Sequence, residues 1–191
     1  MAELMEVRWH SRGGQGAMLA VRTIARTVIR DGRYAQGLPE FGAERMGAPI
    51  RCYNRISNEP FSLYCGIVNP DVVVVLDPSV MKVINVTEGL KDGGSIIINI
   101  DLPPKAIRDK LGISLEKKTY VIDAVKISME TLGRPMPNTP IMGALIKVSP
   151  FLTLECLLKD VEREFTKRFS QKVVAANLAA IKRGYEEVQE G

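Results

Sequence analysis

The sequence predicts an α/β protein: a mixed, mostly parallel sheet with helices on both faces and a helical extension at the C-terminus. Three observations predict it. The runs Val72-Val73-Val74-Val75-Leu76 and Ser95-Ile96-Ile97-Ile98-Asn99-Ile100 are almost continuously apolar and rich in β-branched residues, as parallel strands covered on both faces are. Segments of helical period follow the strands, which favours right-handed strand–helix–strand units. A glycine-rich stretch, His10-Ser11-Arg12-Gly13-Gly14-Gln15-Gly16, falls between a first strand and a first helix, where Rossmann-like folds turn from sheet to helix.

Taken in order, Glu6-Val7-Arg8-Trp9 alternates polar and apolar residues like a half-buried strand. Ala17 to Arg30 sets Val21, Ile24, Ala25 and Val28 at helical spacing with Arg22, Arg26 and Arg30 on another face, and Asp31-Gly32 ends it. Tyr34 to Gly37 reads as a short strand, and Leu38 to Pro49 has the glycine, proline and charge content of a loop. Ile50 to Ser57 and Pro60 to Cys65 read as two strands joined at Asn58-Glu59, so close in sequence that they should pair antiparallel and make the sheet mixed.

Asp71 to Leu76 is a parallel strand in this reading, and Asp77-Pro78-Ser79 opens a helix after it. Beyond a turn at Lys91 to Gly94 come a strand from Ser95 to Ile100, a helix from Pro103 to Leu111, a final parallel strand at Tyr120-Val121-Ile122 and a helix from Asp123 to Leu132. Asp77, Asp101 and Asp123 each follow a strand and read as helix caps rather than catalytic carboxylates. Asn138-Thr139-Pro140 is placed to cap a helix from Ile141 to Val148, and two more helices cover Phe151 to Arg168 and Gln171 to Gln189. The stripe Val174, Leu178, Ile181, Tyr185 and Val188 is expected to pack on the chain's own core rather than in a coiled coil. Residues 1–191 are read as one domain, with an α/β core over 1–148 and C-terminal helices over 149–191.

Composition narrows the function. The net charge is only +4 and the basic residues are dispersed, so nucleic-acid binding is not indicated. Cys52, Cys65 and Cys156 are odd in number, far apart and free of any Cys-x-x-Cys spacing, and there is one histidine; neither a disulfide framework nor a metal centre is expected, and a reducing, cytoplasmic setting is. No apolar run approaches the roughly 20 residues that span a bilayer, so the chain reads as soluble.

The glycine-rich turn carries the chemistry. Amides in the first turn of a helix lack intrahelical partners and stand at the positive end of the macrodipole, and glycine removes the Cβ that would hold a phosphate away. An anionic ligand is therefore the expectation, set against the simpler reading of a sharp reversal of the chain. A P-loop would need Lys after Gly16, and a dinucleotide fingerprint would need Gly where Ser11 stands. Gln36 occupies the place of the acidic ribose ligand and Glu40 comes late, which disfavours NAD.

Arg12-Gly13-Gly14-Gln15-Gly16-Ala17, followed by Pro39-Glu40-Phe41-Gly42-Ala43-Glu44-Arg45-Met46-Gly47-Ala48-Pro49 and Arg55-Ile56-Ser57, resembles the gamma subunit of pyruvate:ferredoxin oxidoreductase. The likeness continues through Asp71 to Asp77, Gly93-Gly94, Asn138-Thr139, Gly143-Ala144, Asn177 and Gly184-Tyr185, essentially the whole chain; Ser11 departs from it, since many relatives have Gly there. The resemblance implies one chain of a complex that oxidatively decarboxylates a 2-oxo acid, chiefly pyruvate, with coenzyme A (CoA), giving acyl-CoA, CO2 and reduced ferredoxin. It implies alpha, beta and delta partner subunits, with thiamine diphosphate, Mg and [4Fe-4S] clusters held by those partners, and an isolated chain that is inactive. It also implies that the CoA nucleotide lies against Gly13, Gly14, Gln15 and Gly16, with Arg45 as a phosphate or 3′-phosphate contact. Two alternatives stay open: a gamma-type subunit serving 2-ketoisovalerate or indolepyruvate, and a stand-alone nucleotide-binding oxidoreductase.

Overall fold

The computed structural model describes residues 4–40 and 47–191. Its strands are β1 (Leu4–Arg12), β2 (Tyr34–Glu40), β3 (Pro49–Ser57), β4 (Val72–Val75), β5 (Ser95–Asn99), β6 (Lys118–Ile122) and β7 (Gln189–Glu190). The α-helices are α1 (Ala17–Arg30), α2 (Pro104–Leu111), α3 (Ala124–Leu132), α4 (Asn138–Val148), α5 (Leu154–Phe165) and α6 (Gln171–Glu187). All seven strands form one sheet in the order β2-β3-β1-β4-β5-β6-β7. β1, β4, β5 and β6 run parallel, whereas β3 is antiparallel to both β1 and β2, and β7 is antiparallel to β6. The expected mixed, mostly parallel sheet is thus present.

Side-chain alternation divides the molecule into two layers on the sheet. Val7, Trp9, Val72, Val74, Ile97, Tyr120 and Ile122 point to the face covered by α1, α3, α4, α5 and α6. Val73, Val75, Ile96, Ile98 and Val121 point to the other face, where Ile107 of α2 and Val80 of a short 3-10 turn (Pro78–Lys82) meet them. Ile96, Ile97 and Ile98 are fully buried, which is why the run is apolar without alternation; each contributes about 1.5–3 kcal/mol relative to an exposed side chain.

The C-terminal helices close the thicker layer. α6 crosses α4 so tightly that a Cβ on Gly143 would collide with the Ile181 carbonyl, and one on Gly184 with the Pro140 carbonyl. Val174 and Ile181 are buried there, and Leu178, Tyr185 and Val188 pack on the same cluster, so the apolar stripe serves the chain's own core as expected. Asp160 of α5 is buried and ties that helix to α1, accepting hydrogen bonds from Arg26 Nε (2.8 Å), Thr27 Oγ1 (3.0 Å) and Arg30 Nη1.

Several expectations are corrected. Pro60 to Cys65 is not a strand: β1 and β2 already occupy both edges of β3, and the segment is irregular, with the Cys65 and Gly66 carbonyls accepting from Arg55. The antiparallel partners that make the sheet mixed are β1 and β2 instead. β2 runs on to Glu40, so Leu38 to Glu40 is strand rather than loop. β1 continues to Arg12, because β3 pairs with it as far as Arg12↔Pro49, and His10-Ser11-Arg12 therefore belongs to the strand. After Asp77 only the 3-10 turn forms, ending at Lys82, and farther along the carbonyls of Val86 and Glu88 accept from Arg8. The β4–β5 link consequently has no α-helix. Asp77 and Asp123 do cap, accepting from the amides of Ser79 and Lys126 (2.8 Å each), but Asp101 stays exposed and α2 starts beyond Pro103. α4 begins at Asn138, whose side chain makes no capping bond. The last helix ends at Glu187, and the chain then joins the sheet edge as β7. Among the described residues no helix is long and apolar enough to cross a membrane.

Candidate functional site

The connections leave β1 and β4 in opposite directions along the sheet, one to β2 through α1 and the other to β5. The gap between their C-terminal ends is therefore a switch point of the topology, the place where open α/β sheets take ligands. The glycine-rich turn occupies it.

Residues 13–16 form this turn between β1 and α1. Gly14 and Gly16 have φ of +94° and +80°, left-handed conformations that side chains with a Cβ rarely adopt, and Gly16 is the N-cap of α1. The Gly13 amide donates to Ala48 O at 3.0 Å. The amides of Gly14 and Gly16 have no backbone partner among the described residues, and those of the first turn of α1 precede the first helical bond, Ala20 N to Gly16 O (3.1 Å). No acidic side chain stands in that first turn, at the positive end of the helix.

Side chains brace the turn. Gln15 Oε1 accepts from Ser11 Oγ (2.9 Å) and from the Arg12 amide (3.2 Å), while Gln15 Nε2 donates to Asp77 Oδ2 at 2.6 Å, across the switch point. Asp77 Oδ1 accepts from the Ser79 amide at 2.8 Å. Arg12 donates to Ser79 Oγ (2.6 Å) and to Gly47 O (2.7 Å), and its Nε lies 3.9 Å from Asp77 Oδ2. Burial alone would raise the Asp77 carboxyl; hydrogen bonds from Ser79 and Gln15 and the Arg12 guanidinium outweigh it and hold the group below the usual carboxylate range. Asp77 thus stays ionised and fixes Gln15 and Arg12.

The strand leading to the turn is held from the opposite face. Buried Arg8 donates to the carbonyls of Val68 (3.1 Å), Val86 (3.2 Å) and Glu88, and to His10 Nε2 at 3.1 Å. His10 is 1% exposed; burial first, then the cations Arg8 and Arg51, push its pKa down to about 3, so the imidazole is neutral. It accepts from a cation and is not a base poised near neutrality.

The structure thus brings Gly13, Gly14, Gln15 and Gly16 together, with Gln15 committed at both ends of its carboxamide. Arg45 lies outside the described residues; the carbonyl of Gly47 is held by Arg12 beside the turn. Arg12 and Asp77 are the members of the site that sequence reading missed in this role. The signal for Arg12 was its place directly before the glycines, whereas the link from Asp77 to Gln15 has no local signature.

Comparisons with known proteins agree with this architecture. Residues 6–187 match the family model described as pyruvate ferredoxin/flavodoxin oxidoreductase. The chain is 41% identical to pyruvate synthase subunit PorC of Thermotoga maritima over 184 residues, 96% of this chain and 94% of that one. It is 38% identical to the pyruvate/ketoisovalerate oxidoreductases common subunit gamma of Pyrococcus furiosus, over 97% of this chain and 98% of that one. The crystal structure of pyruvate oxidoreductase subunit PORC from Thermotoga maritima is similar with a TM-score of 0.88 and 39% identity, covering 99% of both chains. The 2-oxoglutarate:ferredoxin oxidoreductase of Magnetococcus marinus, solved with 2-oxoglutarate, coenzyme A and succinyl-CoA bound, shares the fold at a TM-score of 0.79 and 22% identity; the match covers 96% of this chain and 31% of that one. The chain therefore belongs to the pyruvate ferredoxin/flavodoxin oxidoreductase family, as a gamma subunit of a 2-oxoacid:ferredoxin oxidoreductase complex.

Proposed function

We propose that this subunit receives the nucleotide end of coenzyme A at Gly13, Gly14, Gln15 and Gly16, with Arg45 as a phosphate contact, while its partners perform the redox chemistry. The observation that carries the reading is the open turn at the switch point: two left-handed glycines, unpartnered amides, and a helix N-terminus with no carboxylate in its first turn. It is supported by the bound coenzyme A of the Magnetococcus enzyme, whose chain contains this fold. An anion at a helix start gains about 0.3–1 kcal/mol, and up to about 2 when partly buried, so the amides need a cation beside them. Arg45 supplies a planar fork of donors suited to phosphate oxygens.

In this proposal the partners are the alpha, beta and delta subunits, ferredoxin takes the electrons, and residues 1–191 act as one unit. Thiamine diphosphate with Mg, and [4Fe-4S] clusters, would supply carbanion stabilisation and electron transfer from those partner chains. This chain's own part is to bind and orient. Gly14 and Gly16 present amides, Gln15 and Asp77 fix the loop, and Arg12 holds it to the start of β3. The isolated chain is accordingly expected to lack activity.

The test is the CoA dependence of the assembled enzyme carrying Arg45→Ala. A raised KM for CoA with an unchanged KM for the 2-oxo acid supports the assignment; an unchanged KM for CoA in an intact complex removes Arg45 from the site.

A further inference from the structure

The stretch from Pro60 to Pro70 is apolar without serving the chain's own core. No charged residue falls between Glu59 and Asp71, eleven positions in a chain that is 25% charged. The alternation of Phe61, Leu63 and Cys65 suits a strand that the fold does not make, and Phe61, Leu63, Tyr64 and Val68 belong to neither of the two apolar clusters on the sheet. Tyr64 is 79% exposed, Val68 73% and Leu63 41%. Single exposed apolar side chains are ordinary. Three within six residues, on a segment with no charge to favour water, make a patch of the kind that marks a protein–protein contact.

The segment has no regular secondary structure, yet its backbone is pinned. Arg55 of β3 is 2% exposed and donates through Nη1 to the Cys65 carbonyl (2.8 Å) and through Nη2 to the Gly66 carbonyl (3.2 Å), while Glu6 meets its charge at 2.8 Å. Arg8 of β1 is 4% exposed and donates through Nη1 to the Val68 carbonyl (3.1 Å). Taking two guanidinium groups out of water is costly, and what the arrangement secures is a single backbone path for the residues that display Tyr64 and Val68. A surface held rigid before contact loses little conformational entropy when it is covered, and tyrosine is among the side chains that carry most of the energy of such contacts.

We infer that Leu63, Tyr64 and Val68 form the centre of the face by which this chain docks on another subunit of its oxidoreductase complex. Two observations identify the occupant. The chain is a gamma subunit of such a complex, so part of its surface is covered by other chains. The patch also presents no charge, so the face that matches it is apolar and uncharged; an acidic protein, a nucleic acid or an anionic membrane would need basic side chains that this stretch lacks. A standard interface takes about 20–30 residues a side, so the stretch supplies the middle and its surroundings the rim. The inference rests on membership of the complex and is independent of the CoA reading.

The test is co-expression of this chain with the other subunits of its complex, an affinity tag on one of those, and quantitation of this chain in the purified complex. Tyr64→Asp with Val68→Asp is expected to lower its recovery at least tenfold, whereas Leu115→Asp, a charge placed on an apolar side chain that is 84% exposed elsewhere, leaves recovery at the wild-type level. Recovery of the double variant at the wild-type level overturns the inference. A second measurement needs no variant: amides 61–69 are expected to exchange hydrogen at least tenfold more slowly in the assembled complex than in the isolated full-length chain, and equal rates overturn the inference. So does sedimentation of the isolated chain as a dimer that the double variant abolishes, which would give the patch to a second copy of this chain.

Discussion

Lowering the pH from 7.5 to 5.0 is expected to destabilise the chain through one residue, His10. Its imidazole is neutral and buried in the fold with a pKa near 3, against 6.5 when exposed, so the unfolded chain takes up the proton first as pH falls. The sign follows: this contribution to stability is whole above about 6.5 and drains away as pH falls toward 3. At pH 5 the unfolded histidine is almost fully charged and the folded one almost fully neutral, a difference of about 2 kcal/mol or roughly 30-fold in the folding equilibrium. Urea denaturation at the two pH values measures it, with His10→Gln as the control because a carboxamide keeps an acceptor for Arg8 without titrating. The variant should lose about 2 kcal/mol less than the wild type over that interval. Because the chain has a single histidine, its ring C2–H signal also reports directly, and it should not shift in the folded protein between pH 7 and 4.5. Equal pH dependence in variant and wild type, or a folded-state titration near 6.5, would refute the reasoning.

Other predictions follow from the same geometry. Gly14→Val puts a β-branched residue at φ +94° where there is open space, so backbone strain of about 1–3 kcal/mol should appear in denaturation, together with a raised KM for CoA in the assembled enzyme. Asp160→Asn leaves Arg26 and Arg30 without their carboxylate and should cost about 2 kcal/mol by thermal melting at neutral pH. In the wild type that contribution is whole above the usual carboxylate range, begins to fade as pH falls through it, where the unfolded chain takes up the proton, and is lost below it: burial opposes the Asp160 charge, but hydrogen bonds from Arg30, Arg26 and Thr27 hold its folded pKa down. Gly184→Ala drives a methyl into the Pro140 carbonyl and should lower stability by about 3 kcal/mol; a variant as stable as wild type would mean that α6 can lift off α4 freely.

Much of the fold was legible because its central strands are buried on both faces, which leaves Val72 to Leu76 and Ser95 to Ile100 no polar positions to blur the pattern. What was not legible depended on partners distant in sequence. Phe61, Leu63 and Cys65 alternate like a strand, yet a strand needs a free edge, and β3 had given both of its edges to β1 and β2. The helix expected after Asp77 is only a 3-10 turn, and the chain beyond it is tied to Arg8, about 80 residues from the carbonyls that accept from it. In the site, the glycines announced themselves through composition, but the bond that sets Gln15 spans 62 residues to Asp77. Asn138 looked like a helix cap because Asn is favoured there, yet α4 begins at Asn138 itself and its side chain packs on Gly16, a contact between residues distant in sequence.

The close crossing of α4 and α6 bears on the order in which the protein can be completed during synthesis. α4 is nearly all buried, yet the backbone that covers its outer side arrives some forty residues later, in α6. Until then the nascent chain carries an apolar ridge bare on one side, a surface for chaperones to shield. β7, only two residues long, then pairs with the outer edge of β6, so the segment that roofs the helical layer is followed at once by one that extends the sheet.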